Sequence, residues 1–318
     1  MMAKRGAQVL LVAMIALGVV ACDADRTGPG SGDASLRVVA TTTQVGSVAR
    51  GIGGDAIELT VLLKPGIEAH DFELTPAAGA ALEEADVILV SGAGLEDWLD
   101  ETLDTIGGAD RVRDLSEGIS LRAPGADDPG RTDGGDQDAE VDPHYWLSAA
   151  NAIVMAENAR DALAAAAPAD ADGFGERAEA LVARLEAADA EIRGLIGEIP
   201  ADGRRIVTDH DALGYFIEAY GLEFVGSIFP SLDVSSEPSA QEIDALVAEI
   251  REQDVRAIFT ESSVNPRLSA AVAEETGARL IDDPIYTDSL GPEGSGADTL
   301  EGMLLHNARV IRDGLLGD

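Results

Sequence analysis

The chain has 318 residues, with 22 Lys and Arg against 59 Asp and Glu for a formal charge of −37, and 46% of it is hydrophobic. This length is more than an average domain needs and supports a sizeable core, so a small disulfide-stapled module is excluded; the apolar fraction excludes a disordered polyanion. The negative field repels nucleic acid and favours cations, so no nucleic-acid partner is expected.

Lys4 and Arg5 precede an apolar stretch at residues 9–21. That stretch is short for a membrane span of roughly 20 residues and reads as an export signal, residues 1–21. It closes on Val19-Val20-Ala21-Cys22, and Cys22 is the only cysteine of the chain, which excludes an intramolecular disulfide. Small residues before a cysteine at the end of an export signal resemble the bacterial lipobox, in which the thiol is lipidated and becomes the new N-terminus. Gly28, Pro29, Gly30, Ser31 and Gly32 then read as part of a flexible tether over residues 22–35. The expected location is extracytoplasmic, with the body anchored by lipid to a bacterial membrane, in the periplasm or at the cell surface.

From residue 36 short apolar runs alternate with helical patterns. Residues 36–40, 57–63 and 87–90 read as strands, with amphipathic segments between them, which is the rhythm of a parallel sheet. Residues 122–142 break it with Gly, Pro and Asp and read as a solvated acidic loop. Helical patterns follow at 149–166 and 169–200; the second places Phe174, Ala178, Leu181, Leu185, Ala188, Ile192, Leu195 and Ile199 at spacings of three and four. After Pro200 the strand-helix rhythm restarts, with strands expected at 204–208, 224–228, 255–260 and 279–281 and a closing helix at 298–316. The fold class is therefore α/β, with an N-terminal lobe over 36–168, a linking helix over 169–200 and a C-terminal lobe over 201–318. Each lobe is expected to be a mainly parallel sheet flanked by helices, and a cleft lies between them.

Of the four histidines, His70, His144 and His210 sit where strand-like runs give way to loops, and Asp288 follows the strand ending near residue 281. Ligands of open α/β sheets bind beyond the carboxyl ends of the strands. Three imidazoles and one carboxylate complete a tetrahedral set for a borderline-soft divalent cation. The gaps between these residues match no local ligand motif, so only the fold can assemble such a site, and each histidine taken singly reads equally as a structural residue. His306, on the closing helix, is read that way.

The residues around these positions are similar to those of the zinc and manganese solute-binding lipoproteins of bacterial ABC importers. The similarity runs through Thr41-Thr42-Thr43, Pro65-Gly66-Ile67-Glu68-Ala69-His70, Ala85-Asp86-Val87, Gly92-Ala93-Gly94-Leu95-Glu96 and Asp142-Pro143-His144-Tyr145-Trp146. It continues through the run from Asp209-His210-Asp211 to Tyr215-Phe216, then Glu237-Pro238-Ser239 and Tyr286-Thr287-Asp288-Ser289-Leu290. The resemblance implies two α/β lobes joined by a rigid helix, a cation held between them by His70, His144, His210 and Asp288, and delivery to an ABC permease in the cytoplasmic membrane. A monomer is expected, with a metallochaperone as a further partner for loading.

Members of that family that bind manganese tend to carry Glu where this chain has His210, and an imidazole-rich set suits zinc. Zn2+ is thus the expected cargo and Mn2+ the alternative. Many zinc members carry a histidine-rich loop before the second ligand; residues 122–142 contain no histidine. Glu237 and Glu261 are candidates for orienting the imidazoles. Separation of the lobes would divide the ligands into two pairs. Two other classes compete with transport: a zinc hydrolase with Asp288 as base, and a surface adhesion protein stabilised by metal. The sequence contains no zincin motif, nucleophile elbow, P-loop or GxGxxG run.

Overall fold

Two four-stranded parallel sheets, built on the same strand order, carry the described chain. The structure is a computed structural model and describes residues 35–67, 69, 72–123, 125, 141–230 and 237–317. The expected export signal, the tether with Cys22, most of the acidic loop and His70 lie outside the described residues.

The first sheet contains β1 (Leu36–Ala40), β2 (Ile57–Val61), β3 (Val87–Val90) and β4 (Val112–Asp114) in the order β2-β1-β3-β4. The second contains β5 (Arg205–Thr208), β6 (Glu223–Ser227), β7 (Ala257–Glu261) and β8 (Arg279–Ile285) in the order β6-β5-β7-β8. In each sheet the first strand is flanked by the second and the third, so the chain reverses its winding beside β1 in one and beside β5 in the other. That reversal opens a crevice at the carboxyl ends of the strands. Central strands covered on both faces need continuous apolar runs, and β3, with the sequence VILV, is buried at every position.

β5, β6 and β7 differ from the sequence expectation by one or two residues at their ends, and three other strands differ for identifiable reasons. β4 has only three residues, too few for an alternation to register. β2 stops at Val61, although the amides of Leu62 and Leu63 still donate to the carbonyls of Ala40 and Thr41 at 2.9 and 3.0 Å. β8 runs four residues further than expected, through Asp282-Asp283-Pro284, because it is an edge strand and Pro284 there forfeits no ladder bond.

The helices are α1 (Thr43–Gly53), α2 (Pro76–Glu84), α3 (Asp97–Ile106), α4 (Ala149–Ala166), α5 (Ala171–Gly197), α6 (Gly214–Tyr220), α7 (Ala240–Glu252), α8 (Arg267–Thr276) and α9 (Leu300–Leu316). Thr42, Thr75 and Thr299 cap α1, α2 and α9 by accepting from the first-turn amides, and Ser239 and Glu242 form a capping box on α7. None of the helices of the described residues is long and apolar enough to cross a membrane.

Helix α5 has 27 residues, a rod of about 40 Å, between the first sheet and β5. Its buried stripe is Phe174, Ala178, Leu181, Leu185, Ala188, Ile192 and Ile196, packed against α4, α9 and α1. At 100° per residue Ile196 falls nearer the middle of that stripe than Leu195, which sits on its flank and is only half-buried. Residues 168–170 form a separate 3-10 turn ahead of the helix. One apolar core joins both sheets through α1, α4, α5 and α9, and a smaller one, around Val207, Val225, Val247, Ile250 and Ile258, lies under α7 and α8.

Candidate metal centre

The side chains that meet at the cleft come from the carboxyl ends of strands, from the segments that follow them, and from the turn that leads into α4. After β5, Asp209 and His210 are fully buried; β7 ends on Glu261; after β8 come Thr287 and Asp288. On the first-sheet side, the chain after β1 supplies Thr41 to Gln44, and the turn that leads into α4 supplies His144, Tyr145 and Trp146.

His144, His210 and Asp288 converge. One donor atom from each lies within 4.8 Å of the other two, and all three side chains are buried. Nε2 of His144 lies 3.2 Å from Oδ1 of Asp288, and Nε2 of His210 lies 3.3 Å from Oδ2, so the carboxylate presents one oxygen to each ring. Bonds of about 2.0–2.1 Å at tetrahedral angles set neighbouring donors about 3.3 Å apart. The observed separations match the edge length of such a tetrahedron.

Each imidazole is held from behind by a carboxylate. Asp142 Oδ1 accepts from both the backbone amide of His144, at 2.9 Å, and its ring Nδ1, at 2.8 Å. Glu261 accepts the amide of His210 at 2.8 Å and lies 2.7 Å from its Nδ1. With Nδ1 facing a carboxylate, each ring keeps Nε2 turned toward Asp288. Glu261 is itself placed by Asp209, whose Oδ2 accepts the Glu261 amide at 2.8 Å while Ser269 donates its hydroxyl to Oδ1.

Protons and cations are rivals at such a centre. Burial alone would lower the His144 pKa, but Asp142 and Asp288 outweigh it and push it up to about 9. His210 is likewise driven well above its ordinary value, against its burial, by Glu261 and Asp288. Asp288 is held well below the usual carboxylate range, despite its burial, by the two imidazoles. Nε2 of His210 and Oδ1 of Asp288 are fully buried and face other members of the cluster, Asp288 Oδ2 at 3.3 Å and His144 Nε2 at 3.2 Å, as ion pairs outside hydrogen-bond geometry. A divalent cation satisfies this donor set of two imidazoles and a carboxylate.

Of the four ligands expected from the sequence, three are brought together here, and His70 lies outside the described residues. Of the two expected orienting carboxylates, Glu261 faces His210. Glu237 is exposed at the approach to α7 and hydrogen-bonds to neither buried histidine. The carboxylate behind His144 is Asp142 instead, two residues before its imidazole, and the Asp-Pro-His order was its signal: an Asp side chain readily accepts from a backbone amide two residues on. His306 is remote from this cluster, its Nε2 2.9 Å from the carbonyl of Pro284.

The first-sheet wall is rigid for local reasons. Thr41 donates to Glu96 at 2.6 Å, and Glu96 also accepts the amides of Ser91 and Gly92 at 2.7 and 2.9 Å. Tyr145, beside His144, donates its hydroxyl to the carbonyl of Ser91 at 2.7 Å. Gly92 has φ +73°, and a Cβ there would meet the Asp114 carboxylate at 2.0 Å, so only glycine fits.

Residues 38–314 match the family described as zinc-uptake complex component A, periplasmic. The manganese-binding lipoprotein MntA of Halalkalibacterium halodurans is 32% identical, over 96% of this chain and 96% of that protein. The iron-binding protein YfeA of Yersinia pestis is 29% identical, over 88% and 86% of the two chains. Among solved structures, the periplasmic zinc binding protein TroA of Treponema pallidum superposes with a TM-score of 0.79 at 28% identity, over 88% of this chain and 99% of that one.

Proposed function

The chain belongs to the periplasmic zinc-uptake component A family, whose members are metal-binding receptors of ABC importers rather than enzymes, and on that premise we propose that its cargo is Zn2+, held by His70, His144, His210 and Asp288. The observation that carries this reading is the convergence of His144, His210 and Asp288 in a buried cluster whose donor atoms lie within 4.8 Å of one another. Imidazole nitrogen suits zinc, and an all-oxygen set would suit manganese. Relatives are named for manganese, iron and zinc, so kinship alone supports no single cargo.

Asp142 and Glu261 keep each ring in the form that offers Nε2 to the cation. Histidines must shed protons to bind, so acidification weakens capture. The cargo passes to a permease in the cytoplasmic membrane, and lipidation at Cys22 would keep the receptor close to it. Several relatives are named lipoproteins, which supports the anchor. Calorimetric titration of the full chain with Zn2+ and Mn2+ at matched salt tests the cargo: zinc is expected to bind more tightly, and tighter manganese binding overturns the assignment.

A further inference from the structure

The segment that carries Asp288 follows β8 of the second sheet, yet four of its hydrogen bonds reach the first half of the chain. The carbonyl of Thr287 accepts from Gln44 Nε2 at 3.0 Å and from Trp146 Nε1 at 2.9 Å. The hydroxyl of Ser289 accepts the amide of Gly66 at 2.8 Å, and the amide of Leu290 donates to Thr43 Oγ1 at 2.9 Å. Gln44 is oriented in turn by Thr43, which donates to its Oε1 at 2.9 Å. Towards the second half, the Thr287 hydroxyl donates to Glu261 Oε2 at 2.6 Å, and Asn307 brackets the backbone of Tyr286, accepting its amide at 2.9 Å and donating to its carbonyl at 2.7 Å.

We infer that Gln44 and Trp146 are positioning residues for Asp288, acting through the Thr287 carbonyl, so that residues of the first half set the direction of a ligand carried by the second. The second half holds this segment through Asn307 at Tyr286, through the Thr287 hydroxyl and through Ser263, whose hydroxyl donates to Asp288 Oδ2 at 3.5 Å; the first half holds the backbone around Asp288 through Gly66, Gln44, Thr43 and Trp146. Asp288 is thus gripped from both halves, with the carbonyl beside it fixed by the first. Neither Gln44 nor Trp146 needs to touch the cation, because fixing the carbonyl next to Asp288 fixes the direction in which its carboxylate points.

The inference rests on Asp288 being a ligand, and a double-mutant cycle on the full chain separates the two claims. Zinc affinity is measured by chelator competition for the native chain, Gln44→Leu, Asp288→Asn and the double variant. Gln44→Leu is expected to weaken binding about fivefold, the size one neutral hydrogen bond carries, and to have less than about a twofold effect once Asp288 is Asn. No weakening by Gln44→Leu, or equal weakening in both backgrounds, overturns the positioning role while leaving Asp288 as a ligand. An Asp288→Asn chain that binds zinc as the native chain does overturns both. If Gln44→Leu fails to fold by circular dichroism, Trp146→Phe, which removes the indole N–H together with part of the ring's packing beside His144, is read by the same cycle with Asp288→Asn.

Discussion

Asp142 accepts two hydrogen bonds from His144 on one oxygen, the amide at 2.9 Å and the ring Nδ1 at 2.8 Å, so a single carboxylate fixes both the backbone and the imidazole of a ligand. Partners of this kind set ring orientation and basicity, and their loss costs about 10–100-fold in metal affinity. Asp142→Ala is expected to weaken zinc binding by that factor in a competition assay. Unchanged affinity would mean that packing alone orients His144.

Glu96 carries a separate, pH-dependent consequence. Burial raises its pKa from 4.5 to about 7, against the hydrogen bonds from Thr41, Ser91 and Gly92 that favour its charge. Between those values the folded chain keeps a proton that the unfolded chain has lost. This carboxyl therefore favours folding most below pH 4.5, and its contribution falls by roughly 3 kcal/mol as pH rises to 7 and beyond. Denaturant unfolding of the apo chain from pH 4.5 to 8 should show the native protein losing stability relative to Glu96→Gln. Parallel profiles would contradict the assignment.

The phase of α5 is equally testable. Leu185 is fully buried in the stripe facing α4, α9 and α1, whereas Leu195 lies on its flank. Leu185→Ala is expected to destabilise the apo chain by about 2–5 kcal/mol, and Leu195→Ala by under about 1 kcal/mol. Denaturation midpoints of the two variants check the order, and the reverse order would place the stripe one residue out of phase.

Lipidation at Cys22 predicts a change of compartment without a change of chemistry. Cys22→Ser should move the protein from the membrane fraction to the soluble one while zinc affinity stays within about twofold. A variant that remains with the membranes would point to another anchor.

Much of this architecture could be read from local pattern, and what could not depends on contacts distant in the chain. The run VILV announces a doubly covered strand without help from its neighbours, and helix 149–166 was legible to the residue. Asp282-Asp283-Pro284 resembles a turn until β8 is known to lie at a sheet edge. The strand-end histidines were visible as chemistry because an imidazole after an apolar run is conspicuous. Choosing Asp142 rather than Glu237 as a ring's partner required the spatial neighbour of His144. The same limit hid Gln44 and Trp146: their shared acceptor, the carbonyl of Thr287, lies in the last third of the chain and is a backbone atom that residue identity does not flag.

The central claim is that donors from distant parts of the chain close on one cation. An anomalous-scattering crystal structure of the zinc-loaded chain tests it most directly. The account predicts one buried zinc peak, about 2.0–2.2 Å from Nε2 of His144 and His210, from a carboxylate oxygen of Asp288 and from a ring nitrogen of His70. A peak elsewhere, or one bound without His210 or Asp288, would contradict it.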